Sequence, residues 1–142
     1  MAYTIIVGFD DSEASKAAID MAVVMAKKFE GRIVVASGLA PNYAPRRVSE
    51  QEFRWEETRE ACELGMREVI DGCGDACQLM EAVAVPLAPV QALVSLAEER
   101  GADLIVVGSN GEGRVKGLLL GSTAFGVIQR SPVPVLVVPP PA

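Results

Sequence analysis

The chain has 142 residues, half hydrophobic and 23% charged, which suits one hydrophobic core and is too short for two ordinary domains, so residues 1–142 are expected to form a single domain. A net charge of −6 and a pI near 4.7 argue against nucleic acid as the main partner, because a phosphate backbone needs a basic face. Histidine is absent, which excludes Ser-His-Asp and Cys-His mechanisms outright.

No apolar run approaches the about 20 residues of a membrane span, and the start MAYTIIVGFDDSEAS lacks the basic opening and small-residue cleavage site of a signal peptide. A soluble, cytoplasmic protein is expected. Three cysteines, Cys62, Cys73 and Cys77, make an odd number, so reduced, partly buried thiols are expected in place of a disulfide framework or a zinc site.

In chain order, Thr4 to Val7 is a β-branched run closed by Gly8 and predicts a first strand. Asp11 or Ser12 then caps a helix whose apolar face is Ala14, Ala18, Met21, Ala22, Met25 and Phe29, ended by Gly31. Ile33 to Ala36 predicts a second strand, with Ser37-Gly38 closing it, and residues Leu39 to Val48 read as a loop. Ser49 with Glu52 forms a capping box that opens a charged helix through about Ile70, with Trp55 packing into the core ahead of any ligand-stacking role.

Leu79 to Val85 predicts the third strand, followed by a turn over Pro86 to Pro89 and a helix marked by Val90, Leu93, Val94 and Ala97 and ended by Gly101. Asp103 to Gly108 is the fourth strand, Leu118, Leu119, Val127 and Ile128 mark a last helix, and Pro132 to Val138 the fifth strand. Apolar strands separated by helices predict a three-layer α/β/α domain with a five-stranded parallel sheet. If strands one to three build outward one way and strands four and five the other, the order is 3-2-1-4-5. The ligand crevice then lies between strands one and four, lipped by Asp10 and by Gly108 to Gly111.

The stretch GSNGEGRVKGLLLGST, Gly108 to Thr123, reads as an anion-binding loop: Gly111 and Gly113 uncover backbone amides, and Gly121-Ser122-Thr123 adds a small, donor-rich corner. A helix N-terminus there contributes roughly half a positive charge. Asp10 is a candidate for an adenine amine or ribose hydroxyl, with a second helix cap as the structural alternative. Arg114 and Lys116 either neutralise phosphate or stay solvated. The loop is neither a Walker A motif nor the dinucleotide fingerprint.

Gly108-x2-Gly111-x9-Gly121-Ser122 resembles the nucleotide loop of ATP-binding members of the universal stress protein family. The segments Gly101 to Val107, Val7 to Ser15 and Pro132 to Val138 are similar to family patterns as well, so the resemblance covers nearly the whole chain. It implies a Rossmann-like, adenine nucleotide alpha hydrolase-like fold of order 3-2-1-4-5, usually dimeric, that binds ATP and serves stress adaptation or signalling.

It also implies that Asp10, next to Phe9, meets the adenosine, that Gly38 meets the base through its backbone, and that Gly108, Gly111, Gly121, Ser122 and Thr123 hold ribose and phosphates, with Val107 and Asn110 beside them. Magnesium or manganese would accompany the triphosphate. Ser37-Gly38 stands where a histidine and a valine often occur, Asn110 replaces a common basic residue, and Glu112 adds a negative charge. Slow ATP hydrolysis or self-phosphorylation at Ser122 or Thr123, and a nucleotide-independent adaptor for a protein client, are the competing functions. The apolar strand Val133 to Val138 is the expected homodimer seam.

Overall fold

The computed structural model describes residues 2–39, 55–110 and 120–141. The capping box of Ser49 and Glu52, the loop residues Gly111, Glu112, Gly113, Arg114 and Lys116, and Leu118 and Leu119 lie outside the described residues. In order, the elements are β1 (Thr4–Gly8), α1 (Glu13–Phe29), β2 (Arg32–Gly38), α2 (Trp55–Asp71), a 3-10 turn (Gly74–Leu79), β3 (Met80–Val85), α3 (Pro89–Arg100), β4 (Leu104–Gly108), α4 (Ser122–Arg130) and β5 (Val135–Val138). All strand pairs are parallel, as the alternation of strands and helices predicts, and the sheet order is β3-β2-β1-β4-β5, the order that the resemblance implies.

Two cores follow from the period of two along each strand. Ile5, Val7, Ile33, Val35 and Val106 face one side with Ala18, Ile19 and Ala22 of α1 and Met66 and Ile70 of α2. Ile6, Val34, Ile105 and Val107 face the other with Leu93 and Leu96 of α3 and Ala124 and Val127 of α4. Ile5, Ile6 and Ile105 are wholly buried. Each such side chain contributes on the order of 2 kcal/mol of apolar burial. Strands hidden on both faces read as unbroken apolar runs for this reason.

The helix boundaries correct several expectations. Helix α1 ends at Phe29, and its left-handed cap is Glu30, not Gly31: Glu30 has φ 53°, and its N–H donates to Ala26 O. Gly31 is glycine because a Cβ there would sit 2.5 Å from Tyr3 O, at the β1 entry. The buried stripe of α1 is Ala14, Ala18, Ile19, Ala22 and Ala26, whereas Met21 and Phe29 are 40% and 53% exposed. Phe29 stacks on Tyr3 with ring centroids 4.9 Å apart. The third strand opens at Met80 because residues Gly74–Leu79 wind as a 3-10 turn, and the fifth is the short Val135–Val138.

Helix α2 also shields the edge strand β3. The carboxylate of Glu63, held by Arg59 Nη1 at 2.6 Å, accepts the Ala84 N–H at 3.0 Å, so an otherwise unpaired edge donor is occupied. Trp55 packs against the first core as the sequence suggests. None of the helices among the described residues is long and apolar enough to cross a membrane.

Candidate functional site

Between β1 and β4 the chain's direction of winding reverses, and the segments leaving the two strands diverge. That divergence opens a cavity of about 830 Å³ beyond the carboxyl ends of the strands. Phe9, Asp10, Gly38, Val107 and Gly108 line it, as do Asn110, Gly121, Ser122 and Thr123. The sequence pattern therefore brings every described member of its expected set to one hollow; Gly111 lies outside the described residues.

Three helix N-termini border this hollow, those of α1, α3 and α4, and they are not equivalent; α3 opens with Pro89, which has no N–H to offer. At α1, Ser12 is the N-cap: its hydroxyl accepts the Ser15 N–H at 3.1 Å, and Asp10 Oδ1 accepts the Ser12 N–H at 3.0 Å. Asp10 thus closes the turn before α1 while lining the cavity, so the structural and the functional readings of this carboxylate coexist. Asp11, at φ 66°, makes the sharp reversal, and Lys16 lies 3.6 Å from its carboxylate. This end of the cavity is donor-poor and acidic.

At α4 the N-cap is Gly121, and no side chain among the described residues caps the helix. No acidic residue occupies its first turn, and Ser122, Thr123 and Ala124 all border the cavity. Uncapped first-turn amides with the positive end of the helix dipole attract an anion. The described cavity wall carries no lysine or arginine. Along that described wall, backbone donors and the dipole are the sources of positive potential.

The root of the loop between β4 and α4 is stapled by backbone bonds. Ser109 N–H donates to Val138 O at 2.8 Å, and Gly121 N–H donates to Ser109 O at 2.6 Å. Next to them Asn110 Oδ1 is buried without a hydrogen-bond partner among the described residues, and Ser12 Oγ reaches Asn110 O at 3.5 Å. A buried acceptor left unmatched costs about 1–3 kcal/mol.

Two glycines of the site have structural roles that the loop reading did not give them. A Cβ on Gly108 would lie 2.7 Å from both the carbonyl carbon and the Cβ of Ala14, so this glycine lets α1 begin directly against β4. A Cβ on Gly38 would lie 2.6 Å from Leu87 O and 2.8 Å from the Pro89 backbone, where the β3–α3 turn crosses β2. Ser37, beside it, donates its hydroxyl to Phe9 O at 2.6 Å and ties the end of β2 to that of β1.

Sequence reasoning missed one whole side of the cavity. Ala61, Cys62, Gly65, Met66 and Val69 of α2 line it, with Glu68 at the same helix face. The only sequence signal was a glycine inside a helical pattern. Burial pushes the Cys62 thiol above its ordinary range, partly offset by a hydrogen bond with Ser37.

Fold and cleft together define a doubly wound α/β domain of the Rossmann-like class, with a ligand-sized hollow at the topological switch point. The chain belongs to the universal stress protein family, whose pattern it matches over residues 1–139. It is 33% identical over 141 residues to the universal stress protein Rv1636 of Mycobacterium tuberculosis, covering 95% of this chain and 94% of that protein. Among solved structures it is similar to a universal stress protein in complex with cAMP, at 30% identity and TM-score 0.67, covering 99% of this chain and 98% of the other. It also shares its fold with the protein MJ0577 of Methanocaldococcus jannaschii, at TM-score 0.81 and 24% identity, covering 100% and 99% of the two chains.

Proposed function

We propose that this chain is an ATP-binding universal stress protein, acting as a regulatory or signalling module in stress adaptation. One observation carries the reading: of the three helix N-termini on the cavity, α1 is capped and acidic and α3 opens with Pro89, which has no N–H to offer, while α4 opens with the small residues Gly121, Ser122 and Thr123 and has no acidic side chain in its first turn. A nucleotide enters such a hollow with one polarity. Its phosphates go to Gly121, Ser122 and Thr123, and its adenosine goes toward Phe9, Asp10 and the end of β2 at Gly38.

The neighbour solved with cAMP, 30% identical over nearly the whole chain, supports an adenine nucleotide as the ligand class. Among the described residues no group of three or more Cys, Asp or Glu side chains is arranged to hold a metal ion, so magnesium or manganese would arrive with the triphosphate. The carboxylates on the described wall are Asp10, Asp11 and Glu68, and Asp10 already accepts the Ser12 N–H. With no imidazole in the chain, general-base chemistry is poorly served, which favours holding nucleotide over hydrolysing it.

A homodimer through β5 fits the same reading. This strand is the sheet edge opposite the one shielded by Glu63, and the exposed Phe125 and Ile128 of the neighbouring α4 add apolar surface.

The test is mass spectrometry of small molecules released from natively purified protein, with titration calorimetry of the stripped protein against ATP and cAMP. The expected result is an adenine nucleotide released, and micromolar ATP binding lost in Gly121→Val. Protein that neither carries nor binds any adenine nucleotide overturns the assignment.

A further inference from the structure

The α2 wall of the cavity has no place in the phosphate and Asp10 contacts above. Its uncharged members are Ala61, Cys62, Gly65, Met66 and Val69, spaced at three and four residues along one helix face, with Glu68 beside them. Gly65 lies in the interior of a 17-residue helix, where glycine is the least favoured residue after proline. Neither usual reason for a helix glycine applies to it. A Cβ there would meet no heavy atom within 4 Å, so no neighbour packs against the bare backbone, and its φ is not positive. The missing side chain opens onto the cavity.

The wall is also stiff, and Glu68 is its one charged residue. Met66 is 1% exposed and its Sδ lies 3.5 Å from Ser37 Oγ, so it cannot fold into the gap beside Gly65 without leaving the core. A thioether, a thiol, a bare glycine backbone and a valine suit the polarisable face of an aromatic ring and offer nothing to phosphate. Helix α2 packs on one face of the sheet and α4 on the other, so a ligand anchored at α4 presents its far end to α2.

We propose that the α2 wall centred on Gly65 receives the face of the nucleotide base, with Cys62 and Met66 against the ring, and that Gly65 sets the size of base the cavity accepts. This rests on the nucleotide reading of the cavity.

The experiment uses the full chain and two readouts. N-ethylmaleimide labelling, mapped by peptide mass spectrometry with and without saturating ATP, reads the three free cysteines separately; Cys73 and Cys77 do not line the cavity. Bound ATP is expected to slow labelling of Cys62 about tenfold or more and to leave Cys73 and Cys77 unchanged, as access to a covered wall demands. In parallel, Gly65→Leu is expected to raise the melting temperature by about 3 °C through helix propensity while weakening ATP binding about tenfold or more. Gly65→Ala, one methyl larger, should stabilise similarly and bind more weakly than wild type but better than Gly65→Leu.

If wild type binds ATP, yet Cys62 labels at an unchanged rate and Gly65→Leu binds like wild type, the base does not lie on α2 and the proposal is overturned alone. If wild type binds no adenine nucleotide, the cavity's assignment fails and the proposal with it. Should Gly65→Leu fold poorly, the labelling of wild type decides.

Discussion

Replacing Gly108 by alanine inserts a methyl group 2.7 Å from the carbonyl carbon and the Cβ of Ala14 and 2.9 Å from Ser15 N. To reach even a tight 3.4 Å contact, the first turn of α1 must retreat by about 0.7 Å from β4, and these atoms belong to backbone rather than to a flexible side chain. Overpacking of this kind costs about 1–3 kcal/mol, and alanine returns about 0.4–1 kcal/mol by restricting the unfolded chain. A net loss of about 1–2 kcal/mol follows, a fall of about 3–6 °C in melting temperature for a chain of this size. The moving turn carries Ser12 and Ser15 and adjoins Asp10, so nucleotide affinity should fall as well. Urea denaturation measures the first effect and calorimetry the second. A Gly108→Ala protein of unchanged stability and weakened binding would show that this glycine serves only ligand access, refuting the packing argument.

Glu63→Ala should lose about 2 kcal/mol in chemical denaturation, because the buried Ala84 N–H loses its acceptor, and hydrogen exchange at that amide should speed up most. The alkaline limb of stability should depend on Cys62, whose thiol burial pushes up. With the folded pKa above the unfolded one, its contribution is complete below about pH 8.5 and is lost as pH rises through the higher folded value, so Cys62→Ser should flatten a fall in melting temperature above that pH. Cys73 is shifted the same way by burial, with Asp20 nearby, so the double variant should flatten it further. Wild-type protein should scatter light as a dimer at micromolar concentration, and Ile128→Lys, at a position 49% exposed on α4, should shift it toward monomer with little change in melting temperature. A wild-type monomer would remove the β5 seam.

The strands were legible because each carries an apolar run that only burial on both faces explains, and their order because the family resemblance implies 3-2-1-4-5. Ser12 was legible as a cap because its hydroxyl acts three residues away. Local chemistry was less decisive at Gly31, where the left-handed residue is Glu30, and along α1, where Ile19 and Ala26 are buried while Met21 and Phe29 are not. Helical spacing alone fixes neither the edge of an apolar stripe nor which glycine turns the chain.

Taken alone, the sequence determined the sheet, the family resemblance and the glycines and hydroxyls that meet at the switch point, since these depend on periodicity and on spacing within short segments. Only the tertiary structure decided that Ser12 and Asp10 cap the N-terminus of α1 while no described side chain caps that of α4, that Gly108 and Gly38 are needed by neighbouring backbone, and that α2 closes the cavity with Gly65. Those facts concern distances between atoms far apart in the chain. A residue's own neighbours in sequence carry no record of what later packs against it.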